Sequence, residues 1–278
     1  RLHAARGGRP PLPPAGATAF TLRADAIVLD GFVARSDKEG VLVAKEATGT
    51  KIEDVVVRQM RVKARTSTGK IATNGIRVRD GQSVVVDSNV ITDATQSGIV
   101  FDRGKRNYAR NNLVIAAGEW GINFDNGTGT GASGNNVAAF NTVHQSGSTT
   151  AQGGIRFQKA TGEIRDNLAI ASPGIGIKTD TQPTYVHHNG LFGNPTALST
   201  EAAAPPVVWS NIELDPLFVA LGATGFQLQQ LAAGQAADSP MVDRGSGAPA
   251  ARDMSGSTRT DGMPDEGNPD IGYHARAA

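Results

Sequence analysis

Two aspartates, Asp102 and Asp125, each follow a glycine by four residues in the near-copies GIVFD and GINFD. If the copies stack, two carboxylates meet at close range and repel unless a proton, an arginine or a cation is shared between them. Equivalent positions after other glycines hold further chemistry. Two residues on stand Leu42, Arg77, Val100, Asn123, Arg156 and Lys178; four residues on stand Ala44, Arg79, Asp102, Asp125, Gln158 and Asp180, with Arg103, Asn126 and Lys159 at the turns that follow. Three reactions suit this mixture. In β-elimination a uronate carboxylate is neutralised by Ca²⁺ or arginine, a base (Lys178 or Arg156) takes the acidified C5 proton, and the bond at C4 breaks. Asp102, Asp125 and Asp180 would be the oxygen ligands of the ion. In hydrolysis one aspartate protonates the leaving oxygen while the other activates water or attacks. A C5-epimerase shares the proton abstraction and returns the proton to the other face.

Two more side chains fall near this line. Trp120, just before Gly121, is placed to stack on a sugar ring at the mouth of a cleft, and His144, ending the segment NTVH, is a candidate base. The catalytic candidates are then Arg156, Lys178, Asp125 and His144; Arg77, Arg79, Asn123, Trp120, Arg103 and Lys159 would bind substrate. Cations outnumber acids along the line, which suits a polyanion held partly through Ca²⁺. A bland alternative is a solvated face with Arg79 paired to Asp102 and Arg156 beside Asp125, since surface ion pairs are common and worth little. No comparable column of both charge signs is read on any other face. His187 and His188 flank Asn189, and no HExxH spacing or organic-cofactor motif is present.

The elements that must position these groups come from a repeat. Gly followed by alternating apolar residues recurs as GVLV at 40, GIRV at 75, GIVF at 98, GINF at 121, GIRF at 154 and GIKT at 176, with spacings of 35, 23, 23, 33 and 22. A second marker travels in phase: Asn89, Asn112, Asn141, Asn167 and Asn189. Each unit reads as three short strands, the second of type VVVD, YARN, EIRD or YVHH and the third of type VIT, LVIA, TVH or LAIA. Such units leave no room for a helix, and stacking them places like strands in parallel about 4.8 Å apart. The asparagines then form an amide ladder inside a bend. Two spacings exceed the basic period, and the stretches NGTGTGASGNN and QSGSTTAQGG around the coil of Gly121 are placed to wall the charged face into a cleft.

The phased Gly and Asn markers resemble the pectate-lyase-like right-handed parallel β-helix superfamily. The resemblance covers roughly residues 25 to 200 and implies an all-β solenoid of three strands per coil, with carbohydrate bound on the flat face. GGIRF at 153–157 is similar to the GGIR of alginate and chondroitin lyases that use a Lys/Arg pair. Arg156 matches their arginine, and Asn123 stands on the rung where their lysine would be. The NTD, DD, HG and RIK series of polygalacturonases is missing apart from IKT at 177–179, as is the DPHD of mannuronan epimerases. DPLFV at 215–219, SPMVDRGS at 239–246 and DIGYHA at 270–275 look like the closing segment of bacterial secreted β-helix proteins. That similarity makes Asp243, Asp261 and Asp270 cap residues.

Composition bounds the rest. The 278 residues carry 27 basic and 26 acidic side chains, a net charge of +1 that offers no field for nucleic acid. Cysteine is absent, which excludes disulfides and thiolate metal sites. No apolar run reaches the roughly 18 residues that a membrane span needs. Expected, therefore, are a Pro/Gly-rich tail over 1–20, coils over 21–204 and a closing segment over 205–278. The chain reads as a secreted or cell-surface bacterial monomer acting by β-elimination on an acidic polysaccharide; a non-catalytic adhesin or carbohydrate-binding protein is the alternative, then a hydrolase or C5-epimerase using Asp102 and Asp125.

Overall fold

The computed structural model describes residues 2–3, 14–66, 69–71, 73–127, 133–181, 184–201, 206–221, 225–247, 256–265 and 267–275. Most of the Pro/Gly-rich tail and residues 128–132 of the first insertion lie outside them. Three sheets run the length of a single stack, and every pairing between their strands is parallel. The front sheet joins Phe20–Leu22, Val41–Val43, Ile76–Gln82, Ile99–Lys105, Trp120–Asp125, Gly153–Gln158, Ile175–Thr179 and Thr196–Thr200, with Ile52–Glu53 beside Gly81–Gln82. A second sheet joins Leu2–His3, Val28–Asp30, Val56–Arg58, Val85–Asp87, Tyr108–Arg110, Ser133–Ala139, Ala160–Arg165, Thr184–His187 and Val207–Trp209. The third joins Val33–Ser36, Arg61–Ala64, Val90–Thr92, Leu113–Ile115, Thr142–His144 and Leu168–Ile170. The chain visits the three in turn, which makes a parallel β-helix, right-handed as parallel crossovers are. Among the described residues the helical content is one 3-10 turn, Leu231–Ala233.

The two sequence markers have direct physical causes. A Cβ on Gly75, Gly98 or Gly121 would lie 2.4, 2.3 or 2.1 Å from a side-chain methyl of Ile91, Val114 or Val143. The start of the front strand thus runs against β-branched residues of the third sheet, and no side chain fits there. The asparagines sit at the bend between the second and third sheets, each after a residue of positive φ (Ser88 56°, Asn111 51°, Phe140 56°, Asp166 58°, His188 53°). Their amides form one chain: Asn89 Nδ2 donates to Asn112 Oδ1 at 2.9 Å, Asn112 to Asn141 at 2.9 Å, Asn141 to Asn167 at 2.8 Å and Asn167 to Asn189 at 2.9 Å. The ladder ends one coil later at Asn211, 2.9 Å from Asn189. Inside the front sheet Phe101, Phe124 and Phe157 stack with centroids 4.4 and 4.5 Å apart.

The described residues of the closing segment flank the stack. They lie along the third sheet and the neighbouring bend, where Gly272 N donates to Asp166 O at 2.9 Å, Tyr273 N to Thr142 Oγ1 at 2.9 Å and His274 N to Asn111 Oδ1 at 2.7 Å. The cause is legible strand by strand. The early third-sheet strands VARS and RVKA turn Arg35, Arg61 and Lys63 outward, whereas the later ones turn Leu113, Ile115, Leu168 and Ile170 outward; these pack against Phe218, Phe226, Leu228, Met241 and Ile271. The last second-sheet strand stays open, with Val207 51% and Trp209 41% exposed.

Asp270 anchors this segment from inside. Its carboxylate accepts from Gln230 Nε2 at 2.7 Å, Asp243 N at 2.8 Å and the Thr258 hydroxyl, while His274 Nε2 meets Asp265 at 2.6 Å. Burial, then the Asp265 charge, pushes the Asp270 carboxyl from its usual 3.8 up to about 6. A carboxyl with a raised folded pKa binds more protons folded than unfolded between the two values. Its contribution is therefore complete below 3.8 and lost as pH rises through about 6. Asp270→Asn should remove this trend, so the stability gap between wild type and variant moves against wild type from pH 4 to 7, by up to about 3 kcal/mol. Urea melts at both pH values test it; a pH-independent gap refutes it. Glu163, pulled down to about 2 by its His187 hydrogen bond and, against burial, by Arg165, acts oppositely in both proteins and cancels.

Candidate functional site

Strand register builds the charged face as the spacing indicates. Asp102 pairs with Asp125 on adjacent rungs, flanked by Arg79 and Gln158; Arg77, Val100, Asn123, Arg156 and Lys178 form the parallel column two residues earlier. Asp102 and Asp125 are both half-buried and turn out of the sheet. Their repulsion is relieved by different partners than Arg79 and Arg156. Arg77 reaches diagonally across one rung, its Nη2 2.8 Å from Asp102 Oδ2, and its Nη1 lies 3.5 Å from Glu39. Burial opposes the Arg77 charge, but Asp102 and then Glu39 outweigh it and raise its pKa above the ordinary value. Asp125 Oδ1 instead accepts from Gly127 N at 2.6 Å.

Three acids not counted along this line also occupy the face. Asp80 holds Arg103 at 2.9 Å, Glu201 holds Lys178 at 2.6 Å, and Glu39 shares Arg77. With these, acids balance the cations, so the face is not the basic groove that the columns alone suggest. Lys178 in turn keeps the Glu201 carboxyl below its usual range. Arg79 has no ion-pair partner among the described residues. Asp180 lies beside the Gln158 rung and turns Oδ1 to Lys159 N at 2.6 Å, while Lys159 Nζ reaches Gly127 O at 3.3 Å. Asp102, Asp125 and Asp180 are thus not gathered about one point. Among the described residues no group of three or more His, Cys, Asp or Glu side chains is placed to hold a metal.

Two candidates sit elsewhere than their sequence positions suggest. Trp120 is buried rather than open at a mouth, and the Arg156 guanidinium lies over its ring, 5.5 Å from the centroid. The ring thus backs the Arg156 guanidinium. His144 belongs to the third sheet and is buried against Phe226, 5.1 Å between rings, where burial keeps its pKa below the ordinary value. The closing segment covers it, so it cannot reach the front face. Part of the first insertion is likewise no wall: from residue 133 it is the second-sheet strand Ser133–Ala139.

Asn123 lies beside Arg156 on adjacent rungs, with Asp125 two residues on and Lys178 one rung beyond. Both carry a buried polar atom with no protein partner, Asn123 Oδ1 and Arg156 Nε. Arg77 Nε on the same face is in the same state, and a ligand hydroxyl or carboxylate would satisfy such atoms once the side chains that cover them move aside. The other outward faces are not free of charge columns either. In the second sheet Asp30, Arg58, Asp87 and Arg110 share one column, with Arg58–Asp30 at 2.8 Å and Arg110–Asp87 at 3.5 Å.

Comparison with known proteins agrees on the scaffold. A crystal structure of a double mutant of the periplasmic alginate epimerase AlgG superposes with a TM-score of 0.55 at 16% identity, covering 70% of this chain and 47% of that one. At that identity the likeness is one of fold, and this chain spans less than half of that protein. No curated protein matches the chain. A family model described as "Periplasmic copper-binding protein (NosD)" matches residues 23–214. The chain has no cysteine, and its described residues offer no three-ligand cluster, so no copper chemistry is assigned to them. Residues 23–214 make up most of the chain and all but the ends of the coiled stack, and on that match the chain belongs to the NosD family of β-helix proteins.

Proposed function

We propose that the protein is exported to the periplasm or cell surface of a bacterium and acts on an acidic, uronate-containing polysaccharide laid along the front sheet, cleaving it by β-elimination. The observation that carries this is the pair of unpartnered buried atoms on Asn123 and Arg156, with the Arg156 guanidinium lying over Trp120 and the pair bordered by Asp125 and Lys178. The periplasmic names of the family and of the similar epimerase support the location, and the epimerase's substrate supports the class. In this reading Arg156 neutralises the uronate carboxylate, Asn123 accepts a hydroxyl, and Arg77 and Arg79 bind flanking sugars. Lys178 is the base, and its ammonium must leave Glu201 and give up a proton to solvent before the neutral amine can take the C5 proton. Arg103 and Lys159 line the edge.

That same ion pair favours a second reading, a non-catalytic carbohydrate-binding protein, because an ammonium held on a carboxylate is a poor base. Incubation with pectate, alginate, glycosaminoglycans and neutral glycans separates them. New ultraviolet absorbance from unsaturated uronate ends supports elimination; new reducing ends without it point to hydrolysis by the aspartates; binding without cleavage favours the second reading. A Ca²⁺ ion on Asp102 and Asp125, completed by the substrate carboxylate, is part of the proposal. Ca²⁺ added together with a uronate oligosaccharide should then raise the melting temperature of wild type beyond the oligosaccharide alone, and the double Asp102→Asn, Asp125→Asn variant should lose that gain. Equal shifts in both proteins would place the ion elsewhere.

A further inference from the structure

The bend between the second and third sheets carries one positive-φ residue per coil, just before each ladder asparagine. The closing segment engages three of these in succession. His274 N donates to Asn111 Oδ1 at 2.7 Å, the His274 ring lies edge-on to Phe140 with centroids 5.7 Å apart, and Ser246 N and Oγ donate to Asp166 at 2.7 and 2.8 Å. At the next two coils a cavity of about 380 Å³ opens instead, lined by His188 and Ser210 of the bend and by Asp243, Arg244 and Asn268 of the closing segment. Gly245 N, donating to Pro269 O at 2.8 Å, ties the two loops of that wall together.

The lining selects the ligand. The side chains of Ser210, Asp243, Arg244 and Asn268 make no hydrogen bond or ion pair among the described residues, so all four are uncommitted. His188 adds an acceptor that is set from behind. The His187 hydrogen bond and, against burial, Arg165 hold the Glu163 carboxyl at about 2, so Glu163 is ionised and accepts from His187 Nε2 at 2.8 Å. His187 Nδ1 is then the acceptor in the 2.9 Å contact with His188 Nδ1, and the lone pair of neutral His188 falls on Nε2. A guanidinium, a carboxylate, an imidazole nitrogen, an amide and a hydroxyl offer donors and acceptors in like measure. Phosphate would meet the Asp243 charge, and an apolar ligand would leave these groups dry. Sugar hydroxyls, each both donor and acceptor, match the set. Exposed Trp209 stands beside the cavity, its ring stacked on His187 at 4.0 Å and 6.5 Å from His188. Tyr185, in the outward column that also holds Tyr108, lies edge-on to it. An open indole suits the apolar face of a pyranose. We propose that this cavity binds one sugar unit, such as a glycan end, as a site separate from the front sheet. The inference stands apart from what the front sheet does.

Ligand-observed NMR titration of the full chain with the methyl glycosides of glucose, galactose, mannose and glucuronic acid tests it. At least one should bind with a dissociation constant on the order of millimolar, as fits a small ligand held by a few hydrogen bonds. Arg244→Ala and Asn268→Ala should each weaken that binding roughly fivefold or more. Both side chains are exposed and without partners among the described residues, so the melting temperature should stay that of wild type. Arg156→Ala should leave the binding unchanged, which separates the cavity from the front sheet and lets the two sites fail independently. No glycoside binding, binding retained in both cavity variants, loss in Arg156→Ala, or binding of inorganic phosphate or glycine in place of any glycoside would each overturn the proposal.

Discussion

Asn112→Ala should lower the unfolding free energy by about 3 to 5 kcal/mol, among the largest effects of any single substitution in the stack. Asn112 Oδ1 accepts from both Asn89 N and Asn89 Nδ2, at 3.0 and 2.9 Å, and its Nδ2 donates to Val86 O and Asn141 Oδ1, each at 2.9 Å. All of these groups are buried, and alanine leaves them without partners and without water. The cost should fall along the ladder. Asn211, at its end, is half-buried and open to water on one side, so Asn211→Ala should cost about 1 kcal/mol. Urea denaturation of the two variants measures the gradient, and equal losses would show that the ladder does not act through buried hydrogen bonds.

Arg156→Ala should weaken binding of an acidic oligosaccharide by about 2 kcal/mol, roughly thirtyfold, since a charge-assisted hydrogen bond from a buried donor is lost. Arg156→Lys should recover little of it. Lysine keeps the charge but neither the planar stack on Trp120 nor the Nε donor beside Asn123. Arg79→Ala, at a residue with no ion-pair partner among the described residues, should cost a few tenths of a kcal/mol and show stronger salt dependence. Calorimetric titration at two ionic strengths distinguishes the two residues. Equal, salt-sensitive losses would mean that the face works as a diffuse charge and has no built centre.

Much of the scaffold is written locally. The glycine column is needed because β-branched residues of the third sheet press on it, and the asparagine column because the bend buries backbone groups that only an amide can serve on both sides. Both requirements recur in every coil, so both show as a period, and with period-2 alternation they place Asp102 against Asp125 and Asn123 against Arg156. What stays hidden depends on reach and on distant chain. Alternation assigns a side chain to a face but not to a partner, and Arg77 is long enough to pass Arg79 and take Asp102 on the next rung. Glu39 and Glu201 lie just outside the repeated strands, at positions where no column is read, yet they neutralise Arg77 and Lys178. His144 is lost to the site because Phe226, 82 residues further on, folds over it. The outward leucines and isoleucines of the later third-sheet strands carry the signal for that cover, since a solvent-facing sheet has no use for them.

A crystal structure of the chain with a short uronate oligosaccharide tests the functional centre most directly. The sugar should lie along the front sheet, with one carboxylate on Arg156, a hydroxyl within hydrogen-bond distance of Asn123 Oδ1, and neighbouring sugars toward Arg77 and Lys178. An oligosaccharide seated on the Tyr108–Tyr185 column of the second sheet, or beside the closing segment, with the front face left to water, would contradict it.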